Sequence, residues 1–429
     1  MFKKSILFNK KLPANYIKLI FLFIAFNTTF ASNIIKTDTI GSNWYKGLVI
    51  DSKSKKPLIF ASLVVNQTNI STVTNTQGEF LLKVPKNKNS NTVTISFLGY
   101  TSKVVKLSNL KKKKNIIKLK THIEALSEIQ ITAKDALSLV KEVIKRKSKN
   151  YPTSYVKMTA FYRETTTKRK TYVSLSEAVV DIYKQPYNNN RRDILQLFKS
   201  RKSTDYKKLD TIAFKLKGGP FSTLYLDVMK YDLFSTDYSK RYDFNYDKST
   251  KIDNRPVYVV NYKQKKGINN PLYYGKLYID AHTLALISAK FKMNLENISE
   301  ARKLFILKKP KKAQVTPILA EYLVNYRQKN GKWYYGYSRI QLGFKVNWDK
   351  RLFNTVYYST MEMAITDWGK TNEKPSIKFR DRLKSTVIMS DKASGFSDPN
   401  FWGEYNVIEP EKPIESAIKK IRRQLRKNK

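Results

Sequence analysis

Gly47-Leu-Val-Ile-Asp51 opens a stretch that runs through Asn75-Thr-Gln-Gly78-Glu79-Phe80 and Ser96-Phe-Leu-Gly99-Tyr100 to Ile116-Ile-Lys-Leu119. Short apolar runs alternate here with turn residues. Leu48-Val-Ile50, Leu63-Val-Val65, Phe80-Leu-Leu-Lys-Val84, Val93-Thr-Ile-Ser-Phe97, Val104-Val-Lys-Leu107 and Ile116-Ile-Lys-Leu119 are the strand candidates, and 75–78, 86–90 and 111–115 separate several of them. Closely spaced short strands predict a β-sandwich. Gly78 and Gly99 fall where the chain needs a positive φ or a bulge. Few polar residues are placed to converge on a substrate, so the module reads as one that binds or spaces.

Upstream of it, Lys3, Lys4, Lys10, Lys11 and Lys18 precede the apolar run Leu19-Ile-Phe-Leu-Phe-Ile-Ala-Phe26, and Thr29-Phe30-Ala31 supplies small residues for a peptidase. That run is shorter than the ~20 apolar residues a membrane-spanning helix needs. A cleaved secretory signal over 1–31 is expected, with an uncleaved anchor as the alternative. The expected address is the periplasm or the outer membrane.

The 429 residues leave room for two or three domains, and 41% hydrophobic residues suffice for packed cores. There is no cysteine. This excludes disulfides, thiolate metal sites and the cysteine of a bacterial lipoprotein anchor. The formal net charge is +48, which draws nucleic acid, anionic lipid or acidic polysaccharide. The lysines are spread over most strands and loops instead of forming one arm, which reads first as solvated faces. An export signal makes nucleic acid a poor partner.

Gly47-Leu-Val-Ile-Asp51, Pro57-Leu-Ile-Phe-Ala61-Ser-Leu-Val64, Thr74-Asn-Thr-Gln-Gly78-Glu-Phe80 and Ser96-Phe-Leu-Gly99-Tyr100 together resemble the carboxypeptidase-D regulatory-like domain. The resemblance covers the module, about 45–120. It implies a prealbumin-like (Ig-like) sandwich of the kind found at the front of many Bacteroidota envelope proteins, including TonB-dependent receptors. Leu126-Ser-Glu-Ile-Gln-Ile-Thr132 is similar to the connector such receptors place before their plug. No plug sequence follows, so a pore is not implied.

Within a connector at 121–152, Asp135 caps a helix expected over 136–147. Ala136, Leu139, Val140, Val143 and Ile144 form its apolar stripe, suited to packing on a neighbouring domain. From Tyr155 to about Tyr405 the period changes to two. Ala285, Ile287, Ala289, Phe291 and Met293 alternate with Leu286, Ser288, Lys290 and Lys292. Tyr258, Val260 and Tyr262, then Ile340, Leu342, Phe344 and Val346, then Tyr357, Met361 and Met363 do likewise. These read as half-buried antiparallel strands. Asp280-Ala-His-Thr283 and Lys329-Asn-Gly331-Lys332 read as hairpin turns, and 308–317 as a basic, proline-bounded loop. The expectation is a mainly β chain whose domain over 153–408 is a large antiparallel sheet, half-barrel or barrel-like.

A second resemblance rests on Ala160-Phe-Tyr-Arg-Glu164, Ser176-Glu-Ala-Val179, Lys217-Gly-Gly-Pro220, Gly275-Lys-Leu-Tyr-Ile-Asp280 and Asp398-Pro-Asn-Phe-Trp402-Gly-Glu-Tyr-Asn406. These look like the C-terminal region of exported Bacteroidota proteins that begin with the same regulatory-like domain, and they carry no activity over to any residue. Gly275 to Asp280 is also similar to hairpins of periplasmic lipoprotein-carrier half-barrels. The tail, 409–429, reads as a helix with Pro413 in its first turn. Its apolar face is Ile414, Ala417, Ile418, Ile421 and Leu425. Lys419, Lys420, Arg422, Arg423 and Arg426 make a basic face suited to solvent or to an anionic membrane surface.

Candidate chemistry is sparse. The two histidines, His122 and His282, do not supply the two-histidine-plus-glutamate set of a zinc peptidase. The peptidase in the family's name therefore does not carry over. Gly218-Gly219-Pro220 is too short to cradle a nucleotide and reads as a turn. Glu164, Glu177, Glu321 and Glu362 fall on expected strands, and paired carboxylates can hydrolyse glycosides. Neighbouring lysines and arginines favour strand-face ion pairs instead, and Glu164 beside Arg163 is the foremost candidate for a buried polar pair. Trp333-Tyr-Tyr-Gly-Tyr337 and Leu272-Tyr-Tyr-Gly275 suit cross-strand aromatic pairing, sugar stacking or a membrane girdle. No catalytic, metal or cofactor residue is assigned. The expected function is a non-enzymatic envelope module presenting a β-rich surface to a protein, glycan or lipid. One alternative is a lipid or glycolipid carrier with Phe291, Met293, Phe344 and Met361 lining a cavity. The other is a carbohydrate-active enzyme using paired carboxylates.

Overall fold

The structure is a computed structural model that describes residues 41–88, 90–121, 135–169, 171–204, 218–231, 237–252, 255–305, 313–349, 353–371, 376–392, 401–411 and 414–416. The expected signal segment, His122, the 126–132 connector and the tail helix beyond Ser416 lie outside these residues.

The alternating runs of the first module build two small sheets. One has the order β4(Glu79–Pro85)-β1(Ser42–Asp51)-β7(Asn115–Leu119), the other β3(Ser71–Val73)-β2(Ser62–Val65)-β5(Thr92–Ser96)-β6(Lys103–Lys106). Their inward faces supply Val49, Leu63, Phe80, Leu82, Val93 and Ile95 to a closed core. Burying each such side chain contributes about 1.5–3 kcal/mol, enough to hold strands of four or five residues. The turn before β4 is shaped by Asn75, whose Oδ1 accepts from the Gln77 and Glu79 amides at 2.9 Å. Gly78 then takes φ +75°, a conformation that costs glycine little.

The connector helix α1(Ala136–Lys145) begins where Asp135 accepts from the Ser138 amide at 2.7 Å. The helix stops two residues short of the expected end, and a separate turn, α2(Lys147–Asn150), follows. Its buried stripe of Ala136, Leu139, Val140 and Val143 joins the core of the large sheet.

That sheet has ten antiparallel strands: β8(Tyr155–Lys168), β9(Thr171–Lys184), β10(Ile194–Thr204), β11(Tyr242–Ile252), β12(Arg255–Gln264), β13(Tyr273–Asp280), β14(Leu286–Met293), β15(Ala313–Lys329), β16(Lys332–Trp348) and β17(Thr355–Thr371). The order is β10-β9-β8-β17-β16-β15-β14-β13-β12-β11. Two meanders, β8 to β10 and β11 to β17, join where β8, the first of the ten in the chain, pairs with β17, the last. Both anticipated hairpins are present. Asp280 Oδ1 caps the β13–β14 turn, accepting from the His282 and Thr283 amides. Asn330 and Gly331 both take positive φ between β15 and β16, as a two-residue turn matched to strand twist requires. The expected basic loop 308–317 is corrected in part: 313–317 already belong to β15.

The sheet is open, with β10 and β11 at its edges, so the barrel-like alternative does not hold. A barrel buries one face by closing on itself; here separate layers cover the faces. On one side lie α1, α3(Pro220–Leu224) and α5(Ile298–Phe305), with α4(Tyr238–Arg241) beside β11 and α6(Met389–Lys392) over β9. On the other, the sandwich packs through Phe60, Val73 and Leu81 against Phe161, Val179, Tyr337 and Ala364. Residues 401–411 are threaded between them. Asn406 pairs with the Lys83 backbone, its Oδ1 accepting and its Nδ2 donating at 2.8 Å each. Trp402 packs edge-on against Phe161 at 5.4 Å. Of the expected tail helix, Ile414 is described and packs on Leu175.

Candidate functional site

Beyond the Lys292–Glu321 pair, β14 and β15 part. β15 runs on from Ala313 to Ala320 paired with β16, and a bulge between Pro317 and Leu319 pushes Ile318 outward. Proline lacks an N–H and is tolerated in sheets at such edges and bulges. A groove of about 650 Å³ opens in the fork. Met293, Leu295, Ile318 and Leu319 supply its apolar surface, with Lys263, Lys292, Tyr274 and Glu296 at its polar positions. Lys292 Nζ lies 2.6 Å from Glu321 Oε1, and that hydrogen bond raises the lysine's pKa. Gln264 orders the rim by donating to the Ile268 and Asn270 carbonyls while accepting from the Leu272 amide at 2.9 Å. Lys263 makes no ion pair among the described residues. The groove thus sets apolar side chains beside two lysines, a tyrosine and a glutamate.

Two buried charge clusters flank the sheet elsewhere. On the helix-covered face, Lys184 Nζ lies 2.6 Å from both Asp193 Oδ2 and Asp227 Oδ2. Tyr187 donates to Asp227 at 2.6 Å, Tyr326 to its other oxygen at 2.8 Å, and Tyr231 to Asp193 at 2.7 Å. Burial draws the Lys184 ammonium down, but the two aspartates outweigh it and hold its pKa above the usual value. Lys230, half-buried nearby, donates to the Pro186 and Asn189 carbonyls; desolvation lowers it to about 8.

On the sandwich-covered face, Glu177 sits between two arginines. Arg163 Nε donates to Oε1 and Arg201 Nε to Oε2, each at 2.8 Å. Burial alone would raise this carboxyl, yet the two guanidiniums bring it below the ordinary range. Glu362 accepts from Tyr337 at 3.2 Å and lies 3.6 Å from Arg163; burial raises its pKa overall. Arg163 also donates to the Ile408 carbonyl at 2.7 Å, which ties 401–411 to the cluster.

Of the four glutamates singled out in the sequence, Glu177, Glu321 and Glu362 meet cations as strand-face pairs. The expected Arg163–Glu164 pair is not formed. Adjacent residues of a strand point to opposite faces, so Arg163 faces the sandwich while Glu164 accepts from Tyr162 at 2.9 Å on the helix side. Burial raises the Glu164 carboxyl. His282 is exposed in its hairpin turn. Gly219, at φ +48°, starts α3 as a turn residue. Tyr335 and Tyr337 are core residues, Tyr335 donating to the Thr223 carbonyl at 3.0 Å and Tyr337 stacking on Phe60 at 4.9 Å. Phe291 stacks on Tyr322 at 5.1 Å, Phe344 meets Phe305 at 6.2 Å, and Met361 is buried; of the four expected cavity residues, Met293 reaches the groove wall. Among the described residues no cluster of His, Asp and Glu could hold a metal ion. The Lys184 cluster and the fork were missed in the sequence. The Pro317 that breaks the β15 alternation was the available signal for the fork.

Residues 45–131 match the family model of the CarboxypepD_reg-like domain, in agreement with the sandwich seen here. No curated protein matches the chain. Among solved structures, a LolA superfamily protein, NE2245 from Nitrosomonas europaea, is similar at 9% identity and TM-score 0.23, over 56% of this chain and 95% of its own. A DUF1329 family protein from Desulfovibrio piger is similar at 10% identity and TM-score 0.24, again over 56% and 95%. These likenesses are too distant to bear on function.

Proposed function

We propose that the protein is a non-enzymatic accessory module of the cell envelope that binds through the exposed end of its large sheet. The observation that carries this reading is the contrast between its two kinds of polar site. The buried carboxylates Glu177, Asp193 and Asp227 each face cations at 2.6–2.8 Å inside closed networks. A general acid needs a pKa near its working pH, and the paired arginines move Glu177 away from it. The open groove at the β14–β15 fork instead mixes apolar side chains with lysines, which suits holding a ligand. The sandwich acts as a buttress, tied to the sheet through Asn406 and Trp402.

Incubating the purified protein with isolated envelope material tests this. Co-sedimentation without release of soluble sugars or peptides is the expected result. Progressive release of either, proportional to protein added, would overturn it.

A further inference from the structure

We infer that the end of the sheet carrying the groove lies against an anionic lipid bilayer. The inference rests on the binding-module reading and names its partner.

The argument starts from where exposed apolar side chains collect. Eleven large hydrophobic residues are exposed among those described, and five of them share this end: Tyr274 at 44%, Ile298 at 42%, Leu304 at 60%, Ile318 at 42% and Phe353 at 81%. Strand direction brings Tyr274, Ile318 and Phe353 to one end of the sheet, with Tyr274 and Ile318 on the face opposite α5. The starts of β13, β15 and β17 and the ends of β12, β14 and β16 all lie here. Phe353 stands in the connection from β16 to β17, and α5 follows β14. Scattered exposed apolar residues need no explanation, but a group of them marks an interaction surface.

α5 shows how the surface is kept. Ala301 is buried and Phe305 meets Phe344 in the core, while Ile298 and Leu304 stay outside. A short helix anchored by one stripe and exposing leucine and isoleucine suits the headgroup–acyl boundary of a bilayer.

The charges match that partner. Lys263 and Lys292 line the groove, Lys303 lies on α5, Lys168 ends β8, and the connections at this end carry Arg169, Lys265 and Lys266. The acidic groups at this end are Asp237, Asp243, Glu296, Glu300, Glu321 and Asp349. Three of these are engaged, Glu321 by Lys292, Glu300 by Lys303 and Asp243 by Lys265. A positive rim around an apolar centre complements lipid phosphates above acyl chains. From β8 to β12 this end of the sheet spans seven strands, about 30 Å at ~4.8 Å per strand, wider than a single bound peptide strand. A peptide bound along the free edge of β15 would use neither Phe353 nor the β8–β9 tip.

Flotation of the full protein with phosphatidylcholine vesicles containing about 30% phosphatidylglycerol provides the test. Retention is expected on these vesicles and not on pure phosphatidylcholine. The double substitution Leu304→Asp with Phe353→Asp should reduce retention at least tenfold, whereas Val104→Asp with Ile116→Asp, exposed on the sandwich, should leave it unchanged. All four sites are solvent-facing, and matching melting temperatures verify folding. Absence of vesicle binding overturns the inference, as does binding indifferent to Leu304 and Phe353, which would reflect net charge alone. If vesicles are not bound but envelope material is retained intact, the inference fails and the binding-module reading stands. Release of soluble fragments would defeat that reading itself.

Discussion

Lys184 and Asp227 meet at 2.6 Å, tying the end of β9 to the segment after α3. With Asp193 they form a lysine shared between two carboxylates, surrounded by Tyr187, Tyr231 and Tyr335. A buried pair adds little net stability over an apolar substitute, but removing one partner leaves a charge uncompensated. Lys184→Met should therefore destabilise by about 3–5 kcal/mol. The triple change Lys184→Met, Asp193→Asn, Asp227→Asn should recover part of that loss. Urea unfolding of the three proteins checks the order.

Trp402 fixes 401–411 between sandwich and sheet. It lies in the interface core with Phe161 and Ile408, and the Arg201 guanidinium stacks over it at 4.8 Å. Trp402→Ala should cost about 3–5 kcal/mol and, by loosening the buttress, split thermal unfolding into two calorimetric transitions where the intact protein shows one.

Acid stability should carry opposite signs from two glutamates. Glu177 has a depressed folded-state pKa, so its contribution is full above the ordinary carboxylate range and disappears as pH falls through that depressed value. Glu164 has a raised pKa because burial penalises its charge. Its favourable contribution is full at low pH and is lost as pH rises through the raised value. Glu164→Gln should stabilise at pH 7, with the gain vanishing in acid. Glu177→Gln should destabilise at pH 7 and converge on the parent in acid. Denaturant midpoints across pH 3–8 distinguish the two.

In the β15–β16 turn, Gly331 holds φ +74°. Gly331→Val should destabilise by about 1–2 kcal/mol, whereas Asn330→Gly should be nearly neutral, as paired melting curves would show.

Much of the fold was readable where the physics is local. Asp135, three residues before Ser138, announces its helix; Asn330-Gly331 announces its turn; alternation announces the strands. Long-range geometry was not readable. Pairing of β8 with β17 joins residues about two hundred positions apart, and nothing in either strand names the other. Lys184 finds Asp193 and Asp227 only because β9 and the segment after α3 converge. The Arg163–Glu164 pairing failed for a reason present in the sequence: neighbours on a strand face apart, so a cation next in the chain is not next in space. Openness of the sheet depended on layers over both faces, including 401–411, whose irregular sequence gives no sign that it will be buried.

The central claim is that this molecule holds its partner at the β14–β15 fork without chemically altering it. The most direct measurement is co-sedimentation of the purified protein with isolated envelopes, comparing the parent with Tyr274→Ala, Ile318→Asp at unchanged melting temperature. The account predicts at least a tenfold loss of retention for the variant and intact envelope material throughout. Equal retention by both proteins, or fragments released into the supernatant, would contradict it.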